Sequence, residues 1–149
     1  MGSIYDATVA YLESQKVTVS HDAEGFASFE VDVAPLAWRV HVWVREDASQ
    51  VLVHSLFPTQ VPAERCTEMA LFTTRANFGL SIGNFELDLD AGELRYKTSI
   101  DFGGDPVSDA MLRPVFVANI STMGRYLPGI QAVLVGADAA ACIAAIETA

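Results

Sequence analysis

Cysteine, basic residues and glycine-rich phosphate loops are all scarce or missing in this chain, and each absence removes a class of function. The two cysteines, Cys66 and Cys142, lie far apart with neither CxxC nor histidine spacing. A disulfide framework and a zinc knuckle are therefore not written here, and a reducing, cytoplasmic setting is the expectation. Nine Lys and Arg stand against nineteen Asp and Glu, for a formal charge of −10, and the cations are scattered from Lys16 to Arg125. Such a chain repels phosphate backbones, so neither nucleic acid nor an anionic membrane is an expected partner. The N-terminal stretch holds Asp6 and Glu13 and lacks the basic start and apolar run of an export signal. The most apolar stretch, Gly129 to Ile146, is broken by Asp138 and falls short of the roughly 18 apolar residues of a membrane span.

Catalytic signatures are missing too. No HExxH or SxxK occurs, and Gly79-Leu80-Ser81-Ile82-Gly83, which spells GxSxG, follows an expected helix and precedes an expected strand, the reverse of a nucleophile elbow, and has neither the lysine nor the third glycine of a phosphate loop. No cofactor is expected from such a chain.

What is present is material for a core. At 149 residues and 51% hydrophobic content the chain can bury one substantial core, and no repeat or linker marks a second. A single domain over residues 1–149 is expected.

Ile4, Ala7, Thr8, Tyr11 and Leu12 recur at helical spacing behind Ser3, which stands at the N-cap position, so a helix is expected from Ile4 to Gln15. Val17 to Ser20 reads as a short strand and His21 to Gly25 as a turn. From Phe26 to Phe57 apolar residues alternate, which places successive side chains on opposite faces of a sheet. Turns at Ala34-Pro35 and Glu46 to Ser49 divide this region into a three-strand meander. With even loops, Phe29 faces Val40, Val31 faces Trp38, Val42 faces Val53, and Val44 faces Val51. The same register sets Glu30 across from Arg39, an opposite-charge pair on the other face.

Pro62 suits the opening of a second helix, with Met69, Phe72, Thr73 and Ala76 as its buried stripe. Phe85 to Leu89 and Leu94 to Thr98 alternate across a turn and form a hairpin, with Leu89 opposite Leu94, Asp88 opposite Arg95 and Glu86 opposite Lys97. After the loop Gly103 to Val107, Ser108 and Asp109 start a long helix, whose stripe is Leu112, Val115, Phe116, Asn119, Ile120, Met123, Tyr126 and Leu127. Pro114 is expected to delay or bend that helix and Pro128 to break it, and Ala139 to Ile146 to form a last short one. The class is α+β, with a mainly antiparallel sheet of meander plus hairpin packed with helices. Its order is α-β-β-β-α-β-β-α, with the short strand ahead of the meander.

Several segments resemble the YbjN family of bacterial proteins: Asn77-Phe78-Gly79, Gly83-Asn84-Phe85-Glu86-Leu87-Asp88, Gly92-Glu93-Leu94-Arg95-Tyr96-Lys97-Thr98, Asn119, and Arg125-Tyr126-Leu127-Pro128-Gly129. The resemblance is strongest from Asn77 to Gly129. It implies a fold similar to the type III secretion chaperones, small acidic α/β dimers, and a label such as sensory transduction regulator. It carries no catalytic set. The motif residues enter as fold determinants, with Gly83 and Gly92 in tight turns and Asn119 in a buried polar contact.

The meander register places His41 opposite His54 on the non-core face. Two imidazoles are too few ligands for a stable zinc site, and the same row continues to Ser28. Cys66 reads as a structural thiol on the second helix, and the carboxylates around the hairpin as a solvated face. On that non-core face Phe26, Trp43 and Leu52 form an apolar row beside Ser28, His41 and His54, followed by Glu30, Arg39 and Leu56. Either a terminal helix covers this face or a partner does. The candidate partner-binding residues are Phe26, Arg39, His41, Trp43, Leu52 and His54. A joint protonation of His41 and His54 is expected to weaken association below about pH 6.5.

Two functional classes follow. The first is a non-enzymatic protein-binding domain, chaperone-like or regulatory and homodimeric. The alternative is a small-molecule binding or enzymatic domain, with a pocket between helix and sheet lined by Asn77, Asn84, Asn119 and Arg125.

Overall fold

The computed structural model describes residues 2–148 and is an α+β fold, a six-stranded antiparallel sheet with helices on one face. Its elements are α1 (Ser3–Ser14), β1 (Ser20–Ala23), β2 (Phe26–Val33), β3 (Leu36–Arg45), β4 (Gln50–Leu56), α2 (Cys66–Asn77), β5 (Asn84–Leu87), β6 (Leu94–Asp101), α3 (Asp109–Leu134) and α4 (Ala139–Glu147). The strand order is β1-β2-β3-β4-β6-β5. The hairpin thus joins the meander through β6, which pairs with β4.

The meander register agrees with the alternation. Phe29 pairs with Val40, Val31 with Trp38, Val42 with Val53, Val44 with Val51, and Glu30 with Arg39. Even loops keep Phe29, Val31, Trp38, Val40, Val42, Val44, Val51 and Val53 on the same side, where α3 lies across β4 and β6. Phe116 of α3 stacks on Tyr11 of α1 at 5.7 Å and meets Phe29 at 6.3 Å, tying α1 to the same layer. Beneath α3, Asn119 is fully buried. Its amide nitrogen donates to the carbonyls of Val53 and Tyr96 and to Thr98, and its oxygen accepts from Ser55. Ser55 in turn accepts from the indole of Trp38.

Four local expectations are corrected. Ser3 is not the N-cap: Gly2 holds that place, and the first amides of α1 donate instead to the Glu46 carboxylate, which reaches over from the β3–β4 turn to Ile4 at 3.3 Å and Tyr5 at 2.8 Å. The short strand is Ser20–Ala23 rather than Val17 to Ser20. Val17 and Val19 lead in, packed on the core, and His21 is pinned by the Tyr5 hydroxyl at 2.6 Å, so the turn shrinks to Glu24-Gly25 with Gly25 at φ 76°.

The hairpin register is displaced by two residues. Leu87, not Leu89, faces Leu94, and Glu86 faces Arg95. The reason is the turn: the Asp88 carboxylate accepts from the amides of Asp90 and Ala91, and Gly92 at φ 78° passes so close to the Val61 carbonyl that a Cβ would lie 2.3 Å from it. Asp88 closes the loop instead of pairing with Arg95, and Leu89 is left exposed. Finally, α3 runs unbroken through Pro114 and Pro128. Both prolines are exposed, so each missing amide bond is lost on the wet side, while the buried stripe holds the helix together.

Candidate protein-binding face

The helices leave the opposite face of the sheet open, and its side chains form rows across the strands. Phe26, Trp43, Leu52 and Ser99 make the first row, because each is paired with the next in the ladder. Ser28, His41, His54, Lys97 and Asn84 make the second, and Glu30, Arg39, Leu56, Arg95 and Glu86 the third. Every candidate residue, Phe26, Arg39, His41, Trp43, Leu52 and His54, therefore lies on one surface.

Terminal helices do not cover the apolar row. Phe26 is 43% exposed and Trp43 37%, and their rings stack at 5.6 Å with 10° between planes. The Arg45 guanidinium sits 5.4 Å from the Trp43 ring centre. Two stacked aromatics with a cation at their rim form a flat anchor, the type of surface that loses most free energy by staying wet.

The polar rows hold a network that sequence alone does not assemble. Glu86 of β5 accepts from Arg95 at 2.8 Å and from Lys97 at 3.1 Å, and its carboxylate lies 3.9 Å from His54 Nε2. Burial works to raise the Glu86 pKa, but the hydrogen bonds from Lys97 and Arg95 outweigh it and hold the carboxyl below its usual range. Arg39 bridges Glu30 and Ser28. Arg95, Lys97 and Glu86 are thus additional members of the face. Their alternation with apolar neighbours marks them as outward-facing, but only the non-local pairing of β6 with β4 brings them beside His54.

His54 is only 8% exposed, beneath these neighbours. Burial first, then the charge of Arg95, push its pKa down to about 4 against an opposing pull from Glu86, with lesser downward contributions from Lys97 and His41. The expected joint protonation of His41 and His54 below about pH 6.5 is corrected accordingly: His54 stays neutral well below that value. The consequence falls on stability. Between the unfolded value near 6.5 and about 4 the unfolded chain binds a proton that the folded chain does not, so stability drops as pH falls through that window and is fully present above it. The full gap corresponds to about 3 kcal/mol. In urea titrations from pH 7 to 4, His54→Gln is expected to lose less stability than the parent; parallel curves for the two proteins would show that His54 does not titrate in this way.

The pocket expected of the alternative reading is not assembled. Asn119 spends its amide inside the core, and Asn77 clamps the backbone of Phe85 through both its oxygen and its nitrogen. Arg125 lies on the far side of α3, with Nη2 3.5 Å from the Ile146 carbonyl. These side chains do not converge. Cys66 is buried, with its thiol 3.8 Å from the Val61 carbonyl, as a structural residue would be. Among the described residues no helix is long and apolar enough to cross a membrane, and no group of three or more His, Cys, Asp or Glu could hold a metal ion.

Comparison with solved structures places the fold. A chain of the HopA1–SchA chaperone–effector complex aligns with a TM-score of 0.52 at 12% identity, over 80% of this chain and 89% of that one. A chain of the ExoT–SpcS complex from Pseudomonas aeruginosa aligns with a TM-score of 0.54 at 12% identity, over 83% and 97%. At such identity the likeness is one of fold alone. No family model and no curated protein matches the chain.

Proposed function

We propose that this chain is a non-enzymatic, chaperone-like protein-binding domain that works as one unit over residues 1–149 and receives its partner on the open sheet face. The observation that carries the proposal is the uncovered stack of Phe26 on Trp43, set in a row with Leu52 and flanked by His41, His54 and Arg39. The fold likeness supports it, since one of the similar chains comes from a chaperone–effector complex. The YbjN-like motifs support it from the sequence side, and with them a cytoplasmic homodimer in a regulatory setting. Several of those motif residues do fold work: Gly83 and Gly92 take positive φ in tight turns, and Asn119 and Asn77 hold the sheet to the helices.

Trp43 is the expected anchor, because a large aromatic desolvated at the centre of an interface contributes about 2 kcal/mol or more. Trp43→Ala is expected to weaken association by about 30-fold with the far-UV spectrum unchanged. The test is a pull-down from cells of the source organism with parent and variant as baits, read by mass spectrometry, with sedimentation of both proteins alongside. A partner or a dimer present with the parent and lost with the variant supports the assignment. Equal recovery and equal sedimentation would remove the face from the function.

A further inference from the structure

Hydrogen-bonding capacity is spent unevenly on the open face. Its central carboxylates are occupied, Glu30 by Arg39 and both oxygens of Glu86 by Arg95 and Lys97. The donors are not used up. A guanidinium carries five N–H bonds and an ammonium three. Arg39 places one nitrogen on Glu30 and another on Ser28; Arg95 commits Nε to Glu86 and leaves Nη1 3.8 Å from Glu93; Lys97 makes a single bond. His41 is exposed between them. A partner that completes this surface must bring acceptors.

Charge over the whole molecule points the same way. On the open side of β2 to β6 the cations Arg39, Arg45, Arg95 and Lys97 balance the carboxylates Glu30, Asp32, Glu86 and Asp101, with Asp22 and Glu93 at the rim, so most of the formal −10 belongs to the rest of the chain. An acidic segment is repelled by the net charge of the rest of the chain and meets here a face with balanced strands and donors to spare.

Resting on the protein-binding reading above, we infer that the occupant of this face is an extended apolar–acidic peptide segment, with one large apolar side chain over Phe26, Trp43 and Leu52. Carboxylates follow at its second and fourth residues beyond, over the His41–His54–Lys97 row and the Arg39–Arg95 row. The spacing comes from the rows themselves. Successive rows are two residues apart along each strand, about 6.8 Å, and the alternate side chains of an extended peptide laid along the strands have the same repeat. A helix, rising about 1.5 Å per residue, would need four or five residues per row and would turn its side chains away between them.

The test uses three fluorescein-labelled peptides of serines around one tryptophan, with Glu, Gln or Lys at the second and fourth positions beyond it, titrated with the full chain at low salt. The Glu peptide is expected to bind at least ten-fold more tightly than the other two, to lose that advantage in high salt, and to lose it in Arg39→Gln/Lys97→Gln, whose fold is checked by thermal melting. Equal binding of Glu and Gln peptides, both abolished by Trp43→Ala, overturns the acidic specificity and leaves the face a binding site. Preference for the Lys peptide overturns it as well. A dimer that Trp43→Ala dissociates, and that the Glu peptide does not displace, would make the occupant a second copy and overturn it. If no peptide binds, and a displayed random peptide library selects nothing that depends on Trp43, the inference and the protein-binding reading fail together.

Discussion

Phe116→Asp is expected to leave the chain without a cooperative fold at 25 °C. Phe116 is 2% exposed and lies between Tyr11 of α1 and Phe29 of β2, so it joins three elements at one point. Removing a buried phenylalanine side chain costs about 3–5 kcal/mol, and placing an unpaired carboxylate there adds several more. The sum reaches the whole stability of an ordinary domain, about 5–15 kcal/mol. Phe85→Asp is expected to behave alike, since Phe85 packs edge-on against Tyr96 at 4.8 Å and Tyr126 at 5.5 Å. Phe116→Leu, which keeps an apolar filling, is expected to stay folded. Circular dichroism with thermal melts separates the cases: a Phe116→Asp protein melting within a few degrees of the parent would show that this position is not core.

The meander was legible because its evidence is local. Strict alternation, two even loops and the Glu30–Arg39 pair all select one register, and a slip by one residue would expose every inward valine. The hairpin shows where such reasoning stops. A slip by two residues preserves the inward and outward faces, so alternation is blind to it, and the Glu86 side chain finds Arg95 and Lys97 in either register. What decides is the Asp88 carboxylate folding back on its own turn and Gly92 passing the Val61 carbonyl, and the second of these is a contact across the fold. Proline tells the same story in α3, where a local penalty of about 3 kcal/mol is outweighed by a stripe that packs on the sheet.

The open face was half legible. Phe26, Trp43 and Leu52 could be placed in one row from period alone, and the structure leaves that row uncovered. The burial of His54 could not be read from the chain. It follows from β6 lying beside β4 and β5 beyond it, which brings Lys97, Arg95 and Glu86 over the ring from more than thirty residues away. Sheet order is a property of long-range pairing, and nothing in the spacing of the meander announces it.

Asn119→Leu is expected to cost about 3 kcal/mol, even though it replaces a polar core residue with an apolar one of similar size. The reason is what the amide leaves behind. Its nitrogen donates to the carbonyls of Val53 and Tyr96 and to the Thr98 hydroxyl, at 2.9 to 3.1 Å, and its oxygen takes the Ser55 hydroxyl at 2.5 Å. In the β4–β6 ladder the closely bonded pairs include Ser55 with Tyr96 and Val53 with Thr98, so both carbonyls keep a strand partner after the substitution. Ser55 does not. Its hydroxyl still accepts from Trp38 but has lost its acceptor in a fully buried place, and an orphaned buried donor costs about 1–3 kcal/mol. The rest of the loss is the net value of the remaining bonds, about 0.5–1.5 kcal/mol each at most. This apportioning has a testable corollary: Ser55→Ala on the Asn119→Leu background should recover part of the loss, whereas Ser55→Ala in the parent should destabilise. Urea titrations of the four proteins provide the cycle. Asn119→Leu within 1 kcal/mol of the parent, or a double variant as unstable as the sum of the two singles, would show that the network does not hold the helix to the sheet in the way these hydrogen bonds imply.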